Sequence, residues 1–156
     1  MNVLVFSFKD TIAADCLMAI DAPVQKRYVA SDRQTIDAFI DELSDYSYVL
    51  GLGMYSGKDA EKLRIETSCN GRFRNNGSRL NRRSISRQLR PNDLCKNAQG
   101  IGNSWCNYIS FAVASKLGES RYGFVHIPKS FNVKVAANEV QNQLAFILKN
   151  DKEQVV

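Results

Sequence analysis

Cys106 and His126 are the residues of this chain best suited to chemistry. Cys106 lies in Asn103-Ser-Trp-Cys106-Asn107, at the opening of a stretch with helical apolar spacing, and His126, the single histidine, closes the apolar run from Tyr122. A cysteine in the first turn of a helix meets backbone N–H groups without intrahelical partners and the positive end of the dipole, which together favour an anionic sulfur. An anionic sulfur beside an imidazole is a nucleophile with its own general base. Taken singly, Cys106 reads as one more buried thiol and His126 as an interior histidine among Phe124, Val125 and Ile127. Taken together they say more, because a helix opening on cysteine and a following strand ending in histidine bring both groups to one sheet edge. Glu66 closes the earlier strand Leu63-Arg-Ile-Glu66, where a carboxylate would fix the imidazole tautomer. By itself that glutamate reads as a solvated surface group.

The elements that must position these residues alternate. Residues 2 to 8 form an apolar strand, and 11 to 20 follow with helical spacing. Residues 27 to 30 are a short second strand. Ser31 or Asp32 then caps a helix whose apolar stripe is Ile36, Phe39, Ile40 and Leu43. Tyr46 to Leu52 and Leu63 to Ser68 are further strands. Asn103 or Ser104 caps the Cys106 helix, which carries Trp105, Ile109, Ala112, Val113 and Leu117 and stops at Gly118. The strand 122 to 127 ends at Pro128, and 133 to 149 form a last helix with Val140, Leu144 and Ile147 inward. The alternation predicts an α/β fold, a three-layer α/β/α sandwich around a mostly parallel sheet, as one domain over 1–156.

Composition narrows the function classes. At 156 residues and 44% hydrophobic content the chain can bury a full core. Met1 to Phe8 reads as a strand rather than a leader, and no later run is long enough to span a membrane, so a cytoplasmic protein is expected. Cys16, Cys69, Cys95 and Cys106 have no CxxC spacing, which points to reduced thiols; with one histidine, neither zinc nor another metal or cofactor is expected. The net charge of +5 originates in an arginine-rich loop at about 71–90, where Arg72, Arg74, Arg79, Arg82, Arg83, Arg87 and Arg90 occur without an acid. The preferred reading of that loop is a solvated segment. Phe73 is its only stacking residue, so nucleic acid is not the expected partner.

At this point a family resemblance emerges. Gly102-Asn-Ser-Trp-Cys106-Asn107 resembles the nucleophile motif of pyroglutamyl peptidase I, the pyrrolidone-carboxyl peptidases, in which a glycine stands four residues before a Cys-Asn pair. Gly123-Phe-Val-His126-Ile-Pro128 is similar to that family's histidine motif, Leu52-Gly-Met-Tyr-Ser-Gly-Lys58 to its glycine-bearing turn, and Ile65-Glu66-Thr-Ser-Cys-Asn70 to its glutamate motif. The order Glu, Cys, His is also the family's. The resemblance implies a phosphorylase/hydrolase-like α/β/α fold and a cysteine peptidase that removes an N-terminal pyroglutamyl or similar small acyl group from a peptide or small amide. It implies Cys106 as nucleophile, His126 as general base and then acid, Glu66 as orienting carboxylate, and Phe8, Met54 and Gly102 as substrate-binding positions. It further implies self-association.

The chain departs from the family in three places. Where the family carries Gly-Phe-Glu-Pro-Phe-Gly, a loop that helps cover the pyroglutamyl ring, this chain reads Ser7-Phe8-Lys9-Asp10-Thr11. Glu66 and Asn70 are one residue closer together, and Glu61 is a second choice for the carboxylate. The chain is also shorter, with the arginine segment between the glutamate and cysteine motifs. Two other function classes stay open on these grounds: a binding protein that inherited the fold, and a basic-loop binder of nucleic acid or an acidic partner.

Overall fold

The computed structural model describes residues 2–58 and 61–154, with side chains to residue 149. Strand β1 (Val3–Phe8), helix α1 (Ile12–Ala19), β2 (Gln25–Val29), α2 (Arg33–Asp41) and β3 (Tyr48–Tyr55) follow the predicted alternation. Thr11 caps α1 by accepting from the Ala14 amide, and Asp32 caps α2 through Thr35 N at 2.7 Å. The next region is richer than expected. The run read as one strand from Leu63 is two: β4 (Leu63–Glu66) in the main sheet, and β5 (Ser68–Asn70), which pairs antiparallel with β6 (Arg82–Ser84). A further strand, β7 (Cys95–Ala98), precedes α3 (Trp105–Leu117), β8 (Tyr122–Pro128) and α4 (Val133–Gln154). Gly118, at φ +94°, ends α3 in a conformation that suits a residue without Cβ.

The main sheet runs β2-β1-β3-β8-β4-β7. The first four strands are mutually parallel. β4 is antiparallel to β8, and β7 parallel to β4, so the sheet is mixed at one side. Two apolar layers enclose it. Val3, Val5, Leu50, Leu52, Leu63, Ile65, Val125 and Ile127 pack against α1 and α4 on one face, with Val140, Leu144 and Ile147 buried as predicted. Leu4, Phe6, Val49 and Phe124 pack against α2 and α3 on the other. Strand β3 alternates Leu50 and Leu52 on the first face with Gly51 and Gly53 on the second. A Cβ on Gly53 would lie 2.7 Å from Phe124 Cζ and 2.9 Å from Cys106 Sγ. The missing side chains therefore let the Phe124 ring and the start of α3 settle onto the sheet.

The arginine segment is not the freely solvated loop its charge suggests. Ile85 and Leu89 are buried, and Ser86 is buried at φ +63°. That left-handed conformation costs a non-glycine residue about 1 kcal/mol. It is held by a bridge in which Ser86 Oγ donates to the Glu66 carbonyl at 2.6 Å and accepts from the Phe124 amide at 3.0 Å. The basic segment thus passes over the junction of β4 and β8.

The four cysteines are free thiols, as read from their spacing. Burial pushes Cys16, Cys69 and Cys95 from an ordinary value of 9.0 up to about 12. A raised thiol pKa stabilises the fold below the unfolded value, and that stability is lost as pH climbs from 9 towards 12. Each such thiol is expected to lower the unfolding free energy by about 1 kcal/mol between pH 9 and 10. Denaturant titration of Cys16→Ala at both pH values should show a shallower decline than wild type by that amount; parallel declines would contradict the assignment.

Candidate active site

Cys106 stands in the first turn of α3, and His126 is the fifth residue of β8. Their common reference is Gly53: its β3 position is the register partner of His126, and its bare face lies under the Cys106 sulfur. Both side chains line one cleft of about 580 Å³, together with Phe8, Thr11, Met54, Tyr55 and the segment Gly100–Trp105. Phe8, Met54 and Gly102 all lie on this wall. Phe8 is buried beneath it, Met54 is 39% exposed, and Gly102 turns at φ +88°.

Glu66 reaches His126 by a different route from that of parallel strands. Because β4 is antiparallel to β8, Arg64 pairs with His126 and Glu66 with Phe124, so all four side chains share the α3 face and Glu66 lies diagonally across from the imidazole. Glu66 Oε1 is 3.4 Å from His126 Nδ1. This is a long, imperfectly aligned contact, and Nδ1 has no other partner among the described residues. Glu61, the second choice, lies exposed in the bend before β4. The carboxylate against the imidazole is therefore that of Glu66.

Two residues that hold Glu66 were not singled out from sequence. One is Arg64, whose Nε donates to Glu66 Oε1 at 3.2 Å while its guanidinium sits 4.3 Å from the Tyr55 ring centroid. The signal was present in Leu63-Arg-Ile-Glu66: a period of two that buries Leu63 and Ile65 on one face must put Arg64 and Glu66 together on the other. The other is Ser86, for which the sequence offers no signal. The Gly100 amide also donates to Glu66 Oε2 at 3.1 Å. Burial works to raise the Glu66 pKa, but His126, the Gly100 N–H and Arg64 outweigh it, and the net shift is below the ordinary 4.5. Glu66 is thus a carboxylate in the folded protein. Its ionised form contributes stability at neutral pH that disappears as pH falls through the folded-state value. Glu66→Gln leaves Arg64, 11% exposed, without its counter-charge and is expected to cost about 3 kcal/mol at pH 7. The deficit relative to wild type should narrow in denaturant titrations below pH 4.5; a pH-independent deficit would contradict the ion pair.

The state of the sulfur differs from the expectation. Burial, reinforced by the negative charge of Glu66, pushes the Cys106 thiol up to about 12, against the opposing pull of its own backbone N–H. Desolvation outweighs the helix terminus, and the balance favours the neutral thiol over the anion. The helix start is also uncapped by side chains: Ser104 occupies the cap position without a side-chain hydrogen bond, and Asn103 Nδ2 turns to the Arg74 carbonyl at 3.4 Å. Asn107 anchors the first turn instead, donating to the carbonyls of Asn70 and Arg72 and accepting from the Asn70 amide at 2.9 Å. The first-turn amides near Cys106 are left without a side-chain cap, a suitable arrangement for binding developing negative charge.

Chemically, the site has a thiol and an imidazole on one cleft and a carboxylate behind the imidazole. Among the described residues no cluster of three His, Cys, Asp or Glu side chains could hold a metal ion. No described helix is long and apolar enough to cross a membrane.

The layers, strand order and helix placement define an α/β/α protein with a mixed, mostly parallel sheet. More particularly, the fold is that of the pyrrolidone carboxyl peptidases. The chain superposes on the enzyme from Thermococcus litoralis with a TM-score of 0.74 at 13% identity, covering 98% of this chain and 96% of that one. The Thermus thermophilus enzyme gives 0.70 at 15% identity, with 91% and 98% covered. A mutant of the enzyme from Pyrococcus furiosus gives 0.65 at 14%, with 96% and 99% covered. No family model matches the sequence. No curated protein matches it either.

Proposed function

We propose that the protein is a cysteine peptidase that removes an N-terminal pyroglutamyl group, or a similar small acyl group, from peptides. The observation that carries this reading is the convergence of Cys106 and His126 on one cleft, with Glu66 3.4 Å behind the imidazole. The fold shared with pyrrolidone carboxyl peptidases supports the substrate class.

Glu66 faces Nδ1, so that nitrogen carries the ring proton and Nε2 is the basic one. His126 takes the thiol proton as Cys106 attacks the acyl carbonyl, giving a tetrahedral oxyanion and an imidazolium next to the Glu66 carboxylate. First-turn amides of α3 stabilise the oxyanion. Collapse breaks the C–N bond, and the imidazolium proton goes to the departing amine. A water molecule, deprotonated by His126, then hydrolyses the thioester and restores the thiol. A thiol pushed up to about 12 is compatible with this order, because the sulfur loses its proton during attack rather than before it.

The cleft suits a compact acyl group. Phe8, Met54 and Trp105 give it apolar surface, and the backbone of Gly100–Asn103 supplies polar groups. Incubation of the purified protein with pyroglutamyl-7-amido-4-methylcoumarin under reducing conditions should release fluorophore, and iodoacetamide should abolish that release. Absence of thiol-dependent hydrolysis across pyroglutamyl, prolyl and acetyl amides would reject the reading.

A further inference from the structure

We propose that a cationic pocket beside the cleft, formed around Arg79 and Arg82, binds a carboxylate on the leaving side of the substrate. This rests on the peptidase reading above and adds a specificity to it.

The arginine segment was left without a role by the chemistry, and its seven guanidinium groups do not have equal claims to one. Arg72 donates to the Arg74 carbonyl, and Arg74 stacks on Phe73 and Trp105. Arg83 bonds Asn81 and lies over Phe111, Arg87 pairs with Glu119, and Arg90 donates to the carbonyls of Arg87 and Leu89. Two remain. Arg82 donates only through Nε, to the Arg79 carbonyl, and the Arg79 guanidinium has no hydrogen bond or ion pair among the described residues.

These two line the same cavity of about 400 Å³, whose lining contains Ser68, Asn70, Gln99 and Asn103 but no Asp or Glu among the described residues. Residues Gly100, Ile101, Gly102 and Asn103 line both this cavity and the Cys106–His126 cleft. The partition is thin, because two of its four residues have no side chain, and a Cβ on Gly102 would meet nothing within 4 Å. A peptide whose acyl group lies between Phe8 and Trp105 can cross this partition with its leaving portion and end beside Arg79 and Arg82. An open guanidinium fork takes a carboxylate in two parallel charge-assisted bonds. The carboxylate can come from the peptide C-terminus or from an Asp or Glu side chain.

Three substrates separate these sources: pyroglutamyl-Ala-Ala amide, which is neutral; pyroglutamyl-Ala-Ala with a free C-terminus; and pyroglutamyl-Ala-Asp amide. The expected kcat/KM for at least one anionic peptide exceeds the neutral one by about tenfold at low salt, the effect of two exposed charge pairs, and the ratio shrinks at high salt. Arg79→Gln/Arg82→Gln should bring the ratio to about one, whereas Arg27→Gln, the loss of one charge on β2, should preserve it. A second readout needs no turnover: Ala-Ala-Asp amide or free Ala-Ala-Ala should slow iodoacetamide labelling of Cys106 in wild type but not in the double variant. Equal hydrolysis of all three peptides, or a preference that survives the double substitution, overturns the anionic pocket and leaves the peptidase reading standing. Protection from labelling without hydrolysis supports the pocket and rejects the pyroglutamyl reading. Neither hydrolysis nor protection rejects both.

Discussion

Cys106→Ala is expected to lower kcat/KM for a pyroglutamyl amide by roughly 10⁴-fold or more, the scale on which loss of a covalent nucleophile acts. The fold should survive, because the Cys106 side chain lines the open cleft and makes no hydrogen bond to another of the described residues. Cys106→Ser should be almost as damaging despite its similar shape. A hydroxyl holds its proton more tightly than a thiol, and the site already disfavours an anion at this position through burial and the Glu66 charge. Equal circular dichroism and unfolding midpoints for the three proteins, with activity confined to wild type, is the predicted outcome. Activity of Cys106→Ser within tenfold of wild type would mean that another group attacks the carbonyl.

The second large effect is expected at Gly53. An alanine there would place its Cβ 2.9 Å from Cys106 Sγ, and 2.7 Å and 3.1 Å from two atoms of the Phe124 ring. Phe124 is fully buried and has no open direction in which to move, so relief of the clash pushes the sulfur out of position toward the cleft it lines. Overpacking of this kind costs about 1–3 kcal/mol. A displacement of the nucleophile by about 1 Å adds a loss of up to about 10²-fold in kcat. Gly51→Ala separates the two effects. Its Cβ would meet Phe124 and Phe6 at 2.6 Å and Tyr122 Oη at 2.8 Å, but not the sulfur. It should destabilise at least as much while retaining activity per folded molecule. Comparable kcat losses for both variants would show that sheet packing in general, rather than support of the sulfur, limits the reaction.

Much of the frame was legible because its elements are regular. β1, α1, α2, α3, β8 and α4 announce themselves by apolar period, by the cap at Asp32 and by Gly118, and β1 and β8 are two of the four strands in the sheet's parallel half. The region 63–98 was less legible. Strands of three or four residues carry too little period to be read, and β6 lies within a charged segment whose buried anchors, Ile85 and Leu89, are isolated apolar residues. Chain direction was hidden as well. Nothing local to Leu63–Glu66 states that β4 runs against β8, yet that reversal is what sets Glu66 diagonally across from His126.

The candidate site shows the same division. Cys106 could be singled out because it opens a helix, and His126 because it is the single histidine and lies near the end of an apolar run before Pro128. Ser86 could not be foreseen, since its role depends on a left-handed backbone and on two strands remote in sequence. The helix terminus at Cys106 is visible in the sequence, but the burial and the Glu66 charge that push the thiol up against it come from elements remote in sequence.

The most direct test of the central claim is to trap the acyl-enzyme. Rapid acid quenching during turnover of a pyroglutamyl amide, followed by proteolysis and mass spectrometry, should find one pyroglutamyl group on the peptide containing Cys106. It should be absent from Cys106→Ala and from protein treated first with iodoacetamide. Steady hydrolysis with no adduct, or an adduct on any other residue, would contradict the assignment of Cys106 as the nucleophile.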